Sequence, residues 1–269
     1  MAVEWYEEAG RMIEALHTDR FPGLLAEGLR AILPYDFTVI FGYVGADRPL
    51  ALFDDFPPDR HQLHVVEYID GPYLIDPFFL ASRAPFKPGL KRLSELAPDR
   101  FHQGEYYRNY YGQTGLAEEI GFLIEANERL RIVVSLMRCD RRFSNREVAQ
   151  LKSVWPVIDA LCRKNWQDVA TQPSVESITV EDRVEAALQS IGEGYLTPRE
   201  REVVQLTLRG HSAEATASIL GIAPGTVRIH RRNIYAKLRI SSQGELFSEF
   251  LSGIVASGTR QRPLEKQAK

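Results

Sequence analysis

The chain has 269 residues, of which 44 % are apolar, and 33 Lys and Arg against 36 Asp and Glu leave a formal net charge of −3. Such a composition belongs to a soluble globular protein, and the length suggests two domains at roughly 150 residues each. No run of about 20 apolar residues offers a membrane span and no basic-then-apolar leader opens the chain, so a cytoplasmic protein without membrane contact is expected. The only cysteines, Cys139 and Cys162, are too few for a disulfide framework or a zinc site, and their apolar surroundings predict buried thiols.

In chain order, Trp5 to Leu16 and Phe21 to Leu33 have the spacing of amphipathic helices, ended by Pro34-Tyr35-Asp36. Phe37 to Val44 is aromatic and β-branched and predicts a strand, with Leu50 to Phe53 returning as its hairpin partner across Gly45-Ala46-Asp47. Asp55 to Pro58 is a turn, Arg60 to Tyr68 is helical, and Asp76-Pro77 begins another short helix. Ala84 to Gly89 forms a proline-rich loop, and the aromatic stretch Gly104 to Leu116 is expected to be helical. Ile120 to Ala126 and Leu130 to Arg138 make a hairpin around Asn127-Glu128. A long helix from Ser144 to Trp166 closes this half. Ser144 and Glu147 form its capping box, Val148, Leu151, Trp155, Ile158 and Leu161/Cys162 its stripe, and Pro156 predicts a kink. This order describes an α+β fold, an α/β/α sandwich with a mostly antiparallel sheet. Residues 168–192, with Pro173, Ser174 and Ser177, predict a linker containing a short helix.

The run from Leu196 to Leu238 reads as three short helices. Thr197-Pro198-Arg199-Glu200 opens the first with a capping box, Val203, Leu206 and Leu208 give it an apolar stripe, and Gly210 ends it. Ser212 caps a second helix containing Ala217, Ile219 and Leu220, Gly221 turns the chain, and Pro224 starts the third. On that third helix Val227, Ile234 and Leu238 share a core face, whereas Arg228, Arg232 and Tyr235 fall on another. Ile229 lies about 200° from Val227 at roughly 100° per residue, so it faces away from the core. An exposed isoleucine among arginines suits a thymine methyl, and the arginines suit guanine edges or phosphates. Between Leu196 and Ile240 the cations are Arg199, Arg201, Arg209, Arg228, Arg231, Arg232, Lys237 and Arg239, against Glu200, Glu202 and Glu214. Positive charge is concentrated where a phosphate backbone would lie. A helical interaction module with a solvated basic face is the alternative reading of the same pattern.

LTPREREV, the turn Leu220-Gly221-Ile222 and TVRIHRRNIYAKL resemble the DNA-binding domain of LuxR-type transcription regulators. The resemblance implies a tetra-helical helix-turn-helix domain over 193–255, a flexible tail over 256–269, and double-stranded DNA as partner. It implies that Arg228, Ile229 and Arg232 approach base edges, and that Thr226, His230, Arg231 and Lys237 lie near the backbone or support the helices. His230 also fits a hydrogen-bonded buttress. The fourth helix, Ser242 to Ile254, has a Ser242/Glu245 capping box and the stripe Leu246, Phe247, Phe250, Leu251 and Ile254, which suits the family's use of this helix in dimerisation. Three positions depart from the family pattern: Ala223 stands where a capping serine is usual, Ala215-Thr216 where a Glu-Ile pair is common, and Gln243 where arginine is frequent. The first departure removes a cap worth about 1 kcal/mol.

Residues 1–167 resemble, more distantly, the GAF/PAS-like sensor half of such regulators, including those that bind acyl-homoserine lactones. The resemblance implies a sensor and dimerisation domain. In the lactone binders an aromatic pair four apart precedes an Asp-Pro whose carboxylate accepts a ligand N–H. Here His64 and Tyr68 have that spacing and Asp76-Pro77 follows, but His64 replaces tryptophan and the distance to Asp76 is one residue short. The pattern points away from a standard acyl-homoserine lactone toward another small metabolite, with Tyr43, His64, Tyr68, Asp76 and Ser135 as candidate contacts. Asp76 equally fits a helix N-cap, and Tyr68 a core position. Glu105-Tyr106-Tyr107-Arg108-Asn109-Tyr110-Tyr111 suits a pocket lining, a dimer surface or simply one helix face.

An enzyme is not expected: no glycine-rich phosphate loop, metal-ligand spacing or nucleophile elbow is present, and His61 and His64 lack a third ligand. No cofactor or catalytic residue is assigned. A phospho-receiver fails because Asp54-Asp55 follow two helices rather than an opening strand. The expected function is a one-component, ligand-responsive regulator that binds its operator as a homodimer. An activator would also contact RNA polymerase, for which no residue speaks. The alternative is a constitutive or protein-controlled DNA binder with a ligand-free N-terminal half.

Overall fold

The computed structural model of the chain describes residues 2–44, 48–83, 85–169 and 195–250. It forms two compact units: Met1–Ile69, Pro77–Ala97 and Thr114–Ser177 in the first, and Asp70–Asp76, Pro98–Gln113 and Ile178–Lys269 in the second. The units are thus interleaved along the chain. The expected hairpin tip 45–47, most of the linker and the tail lie outside the described residues, as do Leu251 and Ile254.

The first unit is built on a five-stranded sheet in the order β2-β1-β5-β4-β3, comprising β1 (Phe37–Val44), β2 (Leu50–Asp54), β3 (Gly89–Arg92), β4 (Glu118–Glu125) and β5 (Leu130–Arg138). Every pairing is antiparallel. Strand alternation sends Ile40, Val44, Ile120, Phe122, Ile124, Ile132, Val134 and Leu136 to one face. There they meet α1 (Ala2–Glu14), α2 (Phe21–Ile32) and α7 (Asn145–Trp166) in one core with Phe21, Leu25, Leu151, Ile158 and Cys162. The Ser144/Glu147 capping box opens α7 as expected, and the helix runs unbroken through Pro156. Cys162 is buried, but Cys139 is only half-buried: its amide donates to Asp36 on the sheet rim, outside this core.

The short helix expected at Asp76-Pro77 is α4 (Pro77–Ala81). Three details differ from the sequence expectation. The helical segment after Pro57 opens as α3 (Pro58–His61), widens into a π-turn over Gln62–Glu67 and returns to α-helical backbone at 68–69. The aromatic stretch is two short turns rather than one helix: α6 (Glu105–Asn109) and a 3-10 turn at Tyr111–Thr114. The proline-rich loop runs into an unforeseen edge strand, β3, and the short α5 (Leu93–Leu96). Four residues, Gly-Leu-Lys-Arg, are too short and polar to carry a period-two signal.

The C-terminal part of the second unit contains α8 (Pro198–Arg209), α9 (Ala213–Leu220), α10 (Pro224–Leu238) and α11, residues 243–250. Thr197 and Glu200 cap α8 reciprocally, and Ser212 accepts from the Ala215 amide at the start of α9. Gly210 (φ 95°) and Gly221 (φ 64°) end those helices in the left-handed conformation, where a side chain would be strained. On α11, Ser242 Oγ accepts from Glu245 N, but the Glu245 carboxylate closes on Ser241 rather than Ser242. The capping box is therefore displaced by one residue. Leu246, Phe247 and Phe250 are buried within the chain, so this part of the expected dimer stripe serves the unit's own core.

Candidate nucleic-acid interface and sensor face

Helix α10 is held by Val227 and Ile234, 0 % and 1 % exposed, which dock one side of it. Its opposite side presents Arg228, Ile229 and Arg232 to solvent, with Ile229 half exposed. Ile229, on the same side as the two arginines, adds little to the unit's core and has the shape to meet a base methyl. Arg228 pairs with Glu214 on the first turn of α9 at 2.5 Å. Thr226 and His230 are half-buried at the margin of this face.

Arg231 turns inward, and Lys237, itself exposed, is held by a buried partner. Arg231 donates to Thr207 Oγ1 at 3.1 Å and to the His211 carbonyl at 2.8 Å, and burial pushes its pKa down. Lys237 Nζ donates to the buried carboxylate of Glu200 at 2.6 Å. Thr207 is a hub: its hydroxyl donates to Val203, and its carbonyl accepts from Gln243 at 3.0 Å. Arg199 donates to the Leu220 carbonyl and secures the end of α9. Ala223 occupies the N-cap of α10 without a side-chain cap, and Thr216 Oγ1 is buried with no hydrogen-bond partner among the described residues.

In the first unit, the second face of the sheet carries Val39, Phe41 and Tyr43 from β1, Val133, Ser135 and Met137 from β5, and Gly121 and Leu123 from β4. Ser135 stands between Val39 and Gly121 in register. The layer against this face is aromatic. Tyr68 stacks on Phe41 at 4.7 Å between ring centres and shares a 2.8 Å hydroxyl hydrogen bond with Tyr43. Tyr43 also meets Phe79 at 5.3 Å. His64 stacks on Phe56 at 4.3 Å, is 4 % exposed, and its Nε2 has no hydrogen-bond partner among the described residues. Burial first, then the neighbouring Arg60, push its pKa down to about 4, so the ring is neutral at pH 7. Four of the five expected contacts, Tyr43, His64, Tyr68 and Ser135, therefore belong to this first unit.

Asp76 belongs to the second unit, where it is 5 % exposed and accepts from Tyr106 Oη at 2.8 Å. Phe41, Phe56, Phe78 and Phe79 were not anticipated. Gly121 offered the missed signal, since a lone glycine inside a strand marks close approach. A Cβ there would lie 2.5 Å from the Phe78 ring.

Comparison with known proteins agrees with this geometry. The family model of bacterial regulatory proteins of the luxR family matches residues 195–250. A protein of Aeromonas salmonicida, named as an HTH-type transcriptional regulator in the exeN 3' region, is 36 % identical over 191 residues, covering 68 % of this chain and 96 % of that one. This chain belongs to the LuxR family of bacterial regulatory proteins. The monoamine regulon transcriptional regulator of Klebsiella aerogenes is 24 % identical over 197 residues, covering 71 % of this chain and 77 % of that protein. The crystal structure of the VqsR LBD domain from Pseudomonas aeruginosa matches with 27 % identity and a TM-score of 0.53, covering 60 % of this chain and 95 % of that one.

As a LuxR-family member the protein is a transcription regulator rather than an enzyme. It pairs a helix-turn-helix unit with an α/β unit of ligand-binding-domain type. Among the described residues no helix is long and apolar enough to cross a membrane.

Proposed function

We propose that this LuxR-family regulator is a one-component, cytoplasmic, ligand-responsive switch that binds its operator as a homodimer. In this reading sensing and dimerisation are assigned to 1–167, a linker to 168–192, DNA binding to 193–255 and a tail to 256–269. Arg228, Ile229 and Arg232 read base edges. Thr226 and His230 flank them, and Arg231 and Lys237 hold the helix that presents them. Two such helices, about 34 Å apart on one face of a duplex, would read a palindromic site.

For the effector, the observation that carries the reading is the second sheet face. It buries His64, Ser135 and the hydroxyls of Tyr43 and Tyr68 in an otherwise apolar aromatic layer. His64 is neutral and has an orphaned nitrogen, and an unpaired buried polar atom costs roughly 1–3 kcal/mol unless something satisfies it. An uncharged, mainly apolar metabolite with one hydroxyl or carbonyl would do so. It would differ from a standard acyl-homoserine lactone, because His64 stands where the lactone binders carry tryptophan and Asp76 follows one residue early.

A second reading has its own support. The rings of this layer pack on one another at 4.3–5.3 Å, as a face filled by its own side chains would. Control would then come from a protein partner, or be absent. Native mass spectrometry of the gently purified protein separates the two. A dimer with a small extra mass supports the effector reading and gives the mass of the ligand. A bare dimer whose melting is unmoved by extracts of neutral metabolites supports the second.

A further inference from the structure

Within the second unit, the residues that open the tyrosine-rich segment sit on the helix-turn-helix. The Ser212 amide, at the N-cap of α9, donates to Asp99 Oδ1 at 3.3 Å, and the His211 ring lies 4.0 Å from the same carboxylate. Behind this contact two backbones meet. A Cβ on Gly104 would lie 3.0 Å from Gly210 Cα, and one on Gly210 would meet the Arg100 carbonyl, Gly104 Cα and Phe101 Cα, all at 3.6 Å. A Cβ at Gly104 would press into the Gly210 backbone, whereas one at Gly210 would make ordinary contacts, and glycine there answers to its left-handed backbone (φ 95°). Burial opposes ionisation of Asp99, but the bonds from Ser212 outweigh it and hold the carboxyl below its usual range. The segment is itself anchored, since Phe101 packs against Tyr106, Tyr107 and Tyr111 at 5.5–5.9 Å and Tyr106 is bonded to Asp76.

The place that Asp99 occupies has a chemistry of its own. The first turn of a helix offers free amides and a positive dipole end, which suit a phosphate. This turn lies beside the reading face of α10: Glu214 on it pairs with Arg228, and the His211 carbonyl accepts from Arg231. Arg100 is near enough to lower the pKa of Arg231 by charge. A duplex laid against Arg228, Ile229 and Arg232 would bring backbone phosphate toward the same turn.

We propose that residues 98–104 form an intramolecular latch in which the Asp99 carboxylate holds the place of a DNA phosphate at the α9 N-terminus, seated there by the Gly104–Gly210 contact. The latch competes with DNA and leaves when the protein engages a duplex. This rests on the DNA-binding reading above.

The test is fluorescence anisotropy of the full-length protein on a labelled random-sequence duplex across a salt series, for the wild type, Asp99→Asn and Gly104→Val. The latch predicts that both variants bind about 3- to 10-fold tighter, with the salt slope steeper by about 0.9 as one more phosphate is neutralised. Gly104→Val leaves the charge intact, so tightening by Asp99→Asn alone would mean simple removal of a negative charge and would overturn the latch. Unchanged or weaker binding by Asp99→Asn would also overturn it, leaving Asp99 a helix cap. If the wild type binds no duplex at low salt, the DNA-binding reading itself fails, an outcome distinct from both.

Discussion

Lys237, in the last turn of α10, reaches Glu200, in the first turn of α8, with 2.6 Å between Nζ and Oε2. Glu200 is 4 % exposed and is also the capping partner of Thr197, so one buried carboxylate joins the end of the reading helix to the start of the domain. Burial alone would raise the Glu200 pKa; Lys237 and the Thr197 amide reverse that and hold it low. A carboxyl depressed in the folded state contributes stability at pH values above its unfolded pKa and loses it as pH falls. Lys237→Met is expected to lower stability by about 1–3 kcal/mol, because it strands a buried charge. Thermal melting followed by far-UV circular dichroism at pH 7 checks this. An unchanged melt with weakened DNA binding would instead make Lys237 a phosphate contact.

Neighbouring arginines on α10 should behave oppositely. Arg232 is exposed, whereas Arg231 is spent on Thr207 and the His211 carbonyl. Arg232→Ala is expected to leave the fold intact, cost about 1–3 kcal/mol at the preferred site and relax base preference. Arg231→Ala should lower the melting temperature first. Selection of bound sequences from a random duplex pool, beside melting curves, checks both. Equal losses by Arg232→Ala on preferred and random DNA would reduce it to a phosphate contact.

The helix-turn-helix has room for stabilisation at two of its departures from the family pattern. Ala223→Ser would supply the missing N-cap of α10, worth about 1 kcal/mol. Thr216→Val would replace an unsatisfied buried hydroxyl with a methyl of similar size, a gain of about 1 kcal/mol. The sites lie on different helices, so the effects should add in the melting of the double variant.

Acid should weaken the first unit through His64. Its folded pKa of about 4 lies below the unfolded value of 6.5, so the unfolded chain takes up the proton first. Stability from this residue is full above pH 6.5 and falls as pH drops toward 4, by up to about 3 kcal/mol. All three tryptophans, Trp5, Trp155 and Trp166, lie in this unit, so urea unfolding followed by tryptophan fluorescence at pH 7, 5.5 and 4.5 reads it directly. In His64→Phe this part of the pH slope should vanish. An unaltered slope would assign it to other groups.

Much of the DNA-reading unit was legible because its signals are local. Thr197 and Glu200, Ser212, Gly210, Gly221 and Pro224 mark helix ends through contacts spanning three or four residues, and the spacing of Val227, Ile229 and Ile234 separates the buried side from the exposed one. The strands β1, β4 and β5 were similarly plain, β1 as a run of β-branched and aromatic residues and β4 and β5 as apolar runs on either side of the Asn127-Glu128 turn. The four-residue β3 was not, because an edge strand with one buried side chain carries almost no pattern. The π-turn at Gln62–Glu67 was also invisible, since its sequence suits an α-helix and the widening is a choice of hydrogen-bond register.

The sequence by itself determined the family, the three-helix reader and the residues Arg228, Ile229 and Arg232 that it presents, because helix periodicity and capping depend on near neighbours. Only the tertiary structure decided which cations were already spent: Arg231 on Thr207 and Lys237 on Glu200, partners 24 and 37 residues away. It also brought Asp99 to the amide of Ser212, 113 residues on, and paired Tyr43 with Tyr68 on a sheet face that no periodicity names. Charge and aromaticity are properties of a residue. Whether a charge is free to meet DNA, or a hydroxyl to meet a ligand, depends on which distant part of the chain has already claimed it.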